Sequence, residues 1–112
     1  MTPAQAIAQL DRKIAGNGQG LTLRRAVANA PAIEKPARAF VRGYRPSELV
    51  GGILQGDYLV ILSPTFLPAE FANPLPRSPD KLKFDGLTLN IQYIEPVRLN
   101  GVLVRLNITA RG

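Results

Sequence analysis

A mainly β domain is what this sequence predicts: a small antiparallel β-barrel or sandwich of about six strands, with an N-terminal α-helix and a long proline-rich loop. Three observations carry that expectation. Apolar residues recur with period two through most of the chain after Leu21. Two dipeptides of the tight-hairpin type, Asp85-Gly86 and Asn100-Gly101, punctuate the C-terminal third. Finally, 112 residues with 46% hydrophobic content suffice for one core and not for two. The chain therefore reads as a single domain, 1–112, with a helix near 3–15, a β region from 21 to 112 and a loop near 64–79.

The helix comes first. Thr2 is a capping residue, Pro3 suits the first helical position, and Gln5 stands where a capping box places it. Ile7, Leu10 and Ile14 then fall on one face, and the Gly16–Gly18 stretch supplies residues tolerant of a left-handed stop. A helix this short is marginal in water alone, so its stripe must dock on the chain's own sheet or on another subunit.

Leu21–Val27 reads as a strand, Asn29–Pro36 as a loop and Arg38–Tyr44 as a second strand, with arginines on its wet side and Pro46 after it. The glycine-rich stretch Ser47–Leu54 reads as a turn or brief helix. Tyr58–Leu62 (YLVIL) is apolar on both faces, which suits a central strand covered on both sides, with the helix as one candidate cover. Pro64, Pro68, Pro74, Pro76 and Pro79 then prevent any continuous ladder or helix. Lys81–Phe84 and Leu87–Ile94 flank Asp85-Gly86 as a hairpin, with Leu87, Leu89, Ile91 and Tyr93 on the buried face and Pro96 at an edge or bulge. Beyond Asn100-Gly101, alternation puts Val102, Val104, Leu106, Ile108 and Ala110 on one face of the last strand.

Composition excludes much chemistry. Without histidine or cysteine there is no hydrolytic triad, thiol nucleophile, disulfide or Cys/His metal site. Asp57, Asp80, Asp85 and Glu95 are the acids of the β region that could serve as a catalytic pair, but three sit at turns, where Asp57 and Asp85 read as side chains bonding local backbone. No catalytic residue, cofactor or metal ligand is expected, and the chain reads as not an enzyme. No stretch approaches the roughly 18 apolar residues of a membrane span, and the start of the chain does not resemble a secretory signal, so synthesis in the cytoplasm is expected.

Three sets of residues remain as candidate contact sites. Fourteen lysines and arginines against eight acids give a net charge of +6, which favours polyanions or acidic protein surfaces as neighbours. Arg38, Arg42, Arg45 and Arg105 are the candidate DNA-facing or interface charges, with Phe40 and Tyr44 on the same strand face as Arg38 and Arg42. The loop places Phe66, Leu67, Phe71 and Leu75 where solvent is expected, either as a docking arm or as a lid on its own sheet. Ile7, Leu10 and Ile14 form the corresponding helical contact.

The order of Gly56–Ile61 (GDYLVI), Asp80–Gly86 (DKLKFDG), Asn90–Pro96 (NIQYIEP) and the terminal Val102–Gly112 strand resembles small neck proteins of tailed bacteriophages and prophages, of the head-closure or head-to-tail joining type. The resemblance covers roughly residues 37–112. It implies a compact β-barrel or sandwich that forms a ring with copies of itself around the DNA channel. A portal or adaptor protein would lie on one side and tail proteins on the other, with long loops reaching the neighbouring layer. It implies a place in the virion neck, basic residues meeting DNA phosphates without reading sequence, and assembly as the work done. A small basic barrel that binds nucleic acid as a monomer is the competing expectation.

Overall fold

The computed structural model describes residues 1–44, 56–72 and 75–112. Among these residues are one α-helix, α1 (Pro3–Asn17), and six strands: β1 (Gln19–Val27), β2 (Ala30–Gly43), β3 (Tyr58–Leu62), β4 (Lys81–Phe84), β5 (Leu87–Leu99) and β6 (Val102–Arg111). All pairings are antiparallel. They close a barrel in the order β1-β2-β3-β6-β5-β4, with β4 returning to β1.

The capping box forms as the sequence predicts. Gln5 N–H donates to Thr2 Oγ1 at 3.2 Å, and Thr2 N–H donates to Gln5 Oε1 at 2.9 Å. The helix stop differs from expectation. α1 runs on to Asn17, and Gly18 is extended (φ −85°, ψ 173°) instead of left-handed. What demands glycine there is close approach, because a Cβ on Gly18 would lie 2.9 Å from the Ala39 carbonyl and closer still to that of Ile14. The helix turns directly into β1 against the backbone of β2.

The expected loop at 29–36 is a correction, since Ala30 onward is already strand. The reversal takes place at Ala28-Asn29, with Asn29 left-handed (φ 58°) and Val27 paired to Ala30. Pro31 and Pro36 suggest a break, yet residues 30–38 of β2 pair with β1 on one side and with no described strand on the other. A proline on such an edge removes no ladder hydrogen bond. The Asp85-Gly86 and Asn100-Gly101 hairpins form as expected, each with both residues at positive φ, and close the pairs Phe84 to Leu87 and Leu99 to Val102.

Strand β3 shows why its run is apolar on both faces. Val60 and Leu62 point into the barrel with Leu23, Leu82, Leu106 and Ile108, while Ile61 and Leu59 point outward under Leu10 and Ile14 of α1. The β5 alternation holds at Leu89 and Ile91 but fails at Leu87 and Tyr93, which are 43% and 53% exposed, and Val102 on β6 is exposed as well. The physical cause for Tyr93 is a bulge. Ile91 pairs with Ala110 and Tyr93 with Thr109, so one extra residue is inserted and the inward parity passes to Ile94. Pro96 lies in β5 beyond the reach of β4, at the edge the sequence suggests.

Candidate interaction surfaces

The proline-rich segment folds back on its own barrel. Two single-turn 3-10 helices, Pro64–Phe66 and Ala69–Phe71, shape it, the first capped by Ser63 Oγ accepting from Thr65 N–H. Phe71 is fully buried in the barrel core, Leu67 packs against that core, and Phe66 joins Phe40 and Leu59 beside the helix. Leu75 is half-buried, and Pro74 lies outside the described residues. Of the two alternatives for these side chains, the described residues form the lid: Phe71, a candidate partner contact, is consumed by the core, and Phe66, Leu67 and Leu75 are partly covered by the chain itself.

One side chain that sequence reasoning passed over holds this arrangement. Arg25 of β1 donates to Asp80 Oδ2 at 2.7 and 3.0 Å, to the Glu70 carbonyl at 3.0 Å and to the Leu75 carbonyl at 3.1 Å. Its guanidinium stacks 4.6 Å from the centre of the Phe71 ring. Asp80 is 4% exposed and also accepts from Arg77 N–H, so a buried carboxylate, an arginine and an aromatic ring close the loop together. The only signal in the sequence was the Arg24-Arg25 pair.

The helical stripe has a similar fate. Leu10 and Ile14 are buried against Ile61, and Ile7 is half-buried, so the first two have the chain's own sheet as their partner. Asp11 accepts from Ser63 Oγ and from Thr65 Oγ1, which ties α1 to the first turn of the loop. At the other end Arg38 of β2 donates to the carbonyls of Ile14 (3.2 Å), Ala15 (3.4 Å) and Gly18 (3.0 Å). A cation at a helix C-terminus satisfies orphan carbonyls and meets the negative end of the dipole.

Arg38 is thus a structural cap, a correction to its expected role as a channel charge. Arg42 donates to the Gly43 carbonyl. Arg45 lies outside the described residues. Phe40 is not an open stacking platform, because the helix covers it and Lys13 Nζ sits 4.4 Å over its ring. The Tyr44 hydroxyl shares a 2.6 Å hydrogen bond with that of Thr109.

The acids are equally committed. Asp57, expected to bond local backbone, is 2% exposed and receives two 2.9 Å bonds from Arg111. That contact raises the Arg111 pKa. Hydrogen bonds from Lys83 and then Arg24 hold Glu34 below the usual carboxylate range. Glu70 is lowered by its own backbone N–H and then by Lys35. Asp85 is exposed in its turn, at positive φ. Among the described residues no group of acids could hold a metal ion, and no helix is long and apolar enough to cross a membrane.

Arg105 is the exception. Of the described arginines that are partly buried (Arg24, Arg25, Arg38, Arg42, Arg105 and Arg111), the other five have hydrogen-bonded partners, and Arg105 has none among the described residues. It lines an open groove between α1 and the β5–β6 hairpin, with Ala6, Leu10, Lys13, Val97 and Val104.

Comparison with protein-family models gives no match, and comparison with curated proteins gives none either.

Proposed function

We propose that the chain is a structural head-to-tail connector, a head-closure or neck subunit of a tailed phage or prophage that rings the DNA channel between portal and tail. The motif order in Gly56–Ile61, Asp80–Gly86, Asn90–Pro96 and Val102–Gly112 points to that class. The observation that carries the reading in three dimensions is the pair of two-stranded arms projecting past the closed part of the barrel. Residues 97–99 of β5 and 102–105 of β6 pair only with each other, as do 25–27 of β1 and 30–33 of β2. Such arms carry backbone edges and side chains toward neighbours, which suits a subunit whose work is assembly rather than catalysis. Closed cyclic symmetry is the usual way to satisfy repeated edges of this kind.

Its partners in this reading are further copies of itself, a portal or adaptor protein, tail proteins and DNA that passes without being read. Sedimentation of the purified protein alone and with portal rings tests the proposal. The expected result is a discrete ring complex only in the mixture; a chain that remains a monomer beside intact portal rings sinks it.

A monomeric nucleic-acid-binding barrel is the second reading, favoured by the basic side chains Arg12, Lys13, Arg98 and Arg105 on α1 and the β5–β6 arm. DNA affinity against salt separates the two. A binding module holds DNA in isolation with a steep salt slope, whereas a connector subunit binds feebly until arrayed.

A further inference from the structure

The groove between α1 and the β5–β6 arm combines two features. Its apolar lining, Ala6 and Leu10 from the helix with Val97 and Val104 from the arm, borders an open cavity of about 350 Å3. Its cations, Lys13 and Arg105, have no carboxylate opposite them. Glu95, two residues along β5 from Val97, accepts from Asn107 Nδ2 at 2.9 Å, and Asp11 on α1 accepts from Ser63 and Thr65. The neighbouring acids are therefore already in use, and no acid lines the groove itself.

A half-buried guanidinium without an anion is out of keeping with this molecule. Arg25 and Arg111 sit on buried carboxylates, Arg24 on Glu34, and Arg38 on a helix terminus. Arg105 keeps five N–H donors beside apolar surface, which costs solvation without a compensating partner. The cavity lies at the small end of the usual range for binding pockets, roughly 300–1,000 Å3, large enough for one or two side chains.

We propose that this groove binds an acidic segment of a partner protein. An Asp or Glu carboxylate would form a forked pair with Arg105, and a neighbouring apolar side chain would rest on Leu10 and Val97. A carboxylate matches the planar guanidinium fork, and the apolar anchor covers the floor. A DNA strand would supply phosphates but nothing to cover that floor, so the combination favours peptide. The groove borders the β5–β6 arm, and the proposal stands whether or not the chain assembles into a ring.

The test uses the full-length protein and an array of short synthetic peptides in which glutamates flank a leucine, isoleucine or phenylalanine at varied spacing. Matched peptides with glutamine replacing glutamate, or serine replacing the apolar residue, and a short DNA duplex complete the set. Amide chemical shifts map the contact, and fluorescence anisotropy gives the affinity.

The expected result is shifts clustered at Ala6, Leu10, Lys13, Val97 and Arg105 with acidic-apolar peptides, and loss of binding in both control series. Arg105→Gln should weaken binding about tenfold, the worth of one charge-assisted pair, while Arg98→Gln on the same arm leaves it unchanged. Arg105 makes no hydrogen bond within the described chain, so the variant keeps its fold. Three results would overturn the proposal: no binding from any acidic-apolar peptide at millimolar concentration, binding indifferent to Arg105→Gln, or groove shifts produced by the DNA duplex and by no peptide.

Discussion

Two covers close this barrel, and they are built on opposite principles. Helix α1 satisfies its own backbone, is capped at Thr2 and Gln5, and needs the sheet only to bury Leu10 and Ile14. The described residues of the 64–80 segment bond along their own backbone in two short 3-10 turns and one turn at Arg77–Asp80, and side chains hold the segment to the barrel: its own Phe71 in the core, and Arg25 of β1 across Asp80 and two carbonyls. In both cases a strand arginine grips carbonyls of the cover, Arg38 for the helix and Arg25 for the loop. The difference teaches that an irregular cover concentrates its stability in a few tertiary contacts, whereas a helical one spreads it along a regular element.

The sharpest way to break that contrast is to remove the loop's buried anchor. Phe71→Ala should cost about 3–5 kcal/mol, as large aromatic deletions in a filled core do, and more than Leu10→Ala on the helix. Chemical denaturation of the two variants decides this, and an equal loss would mean that the helix is no more distributed a cover than the loop.

Next in size is the pair of arginines. Arg25→Ala leaves Asp80 buried without its cation, a change that costs about 3 kcal/mol or more. Arg38→Ala removes a helix-terminal cation and its bonds, worth about 1 kcal/mol. Arg25→Ala combined with Asp80→Asn should recover part of the first loss, because the uncompensated charge is then gone. Thermal melts of the single and double variants provide the comparison.

A smaller effect is expected at the helix start, where Thr2→Ala should cost about 1 kcal/mol through the lost cap, with hydrogen exchange rising only in the first turn. Loop amides that donate within the segment, those of Phe66, Leu67, Phe71 and Ala72, should in contrast already be protected in the isolated protein. Rapid exchange at all four would show that the loop is a mobile arm and not a lid.

The smallest effect concerns acid. The folded pKa values of Glu34 and Glu70 are depressed, so the stability these carboxylates contribute is present above the ordinary carboxylate range and is lost as pH falls through their lowered values. Both lie in exposed ion pairs, and such pairs contribute little. Glu34→Gln together with Glu70→Gln should slightly flatten the acid limb of the melting-temperature profile and leave the neutral-pH fold intact.

Local chemistry by itself determined a good part of this protein. The capping box, the Asp85-Gly86 and Asn100-Gly101 turns, the two-faced strand at Tyr58–Leu62 and the β6 alternation from Val104 to Ala110 all depend on neighbours a few residues away, so their signals are complete in the sequence. The absence of histidine and cysteine likewise needs no coordinates to be read.

Tertiary structure alone decided the rest. Pro31 and Pro36 are compatible with β2 only because that stretch turned out to be a one-sided edge, and Tyr93 faces solvent only because β6 imposed a bulge on β5. The roles of the arginines were equally hidden: Arg25 meets Asp80 and Arg111 meets Asp57 across more than fifty residues of chain, while Arg105 meets no described partner. The reason is physical. An arginine's task is set by whichever anion or carbonyl the fold brings within hydrogen-bond reach, and strand pairing between distant segments, not the residues beside it, decides what that is.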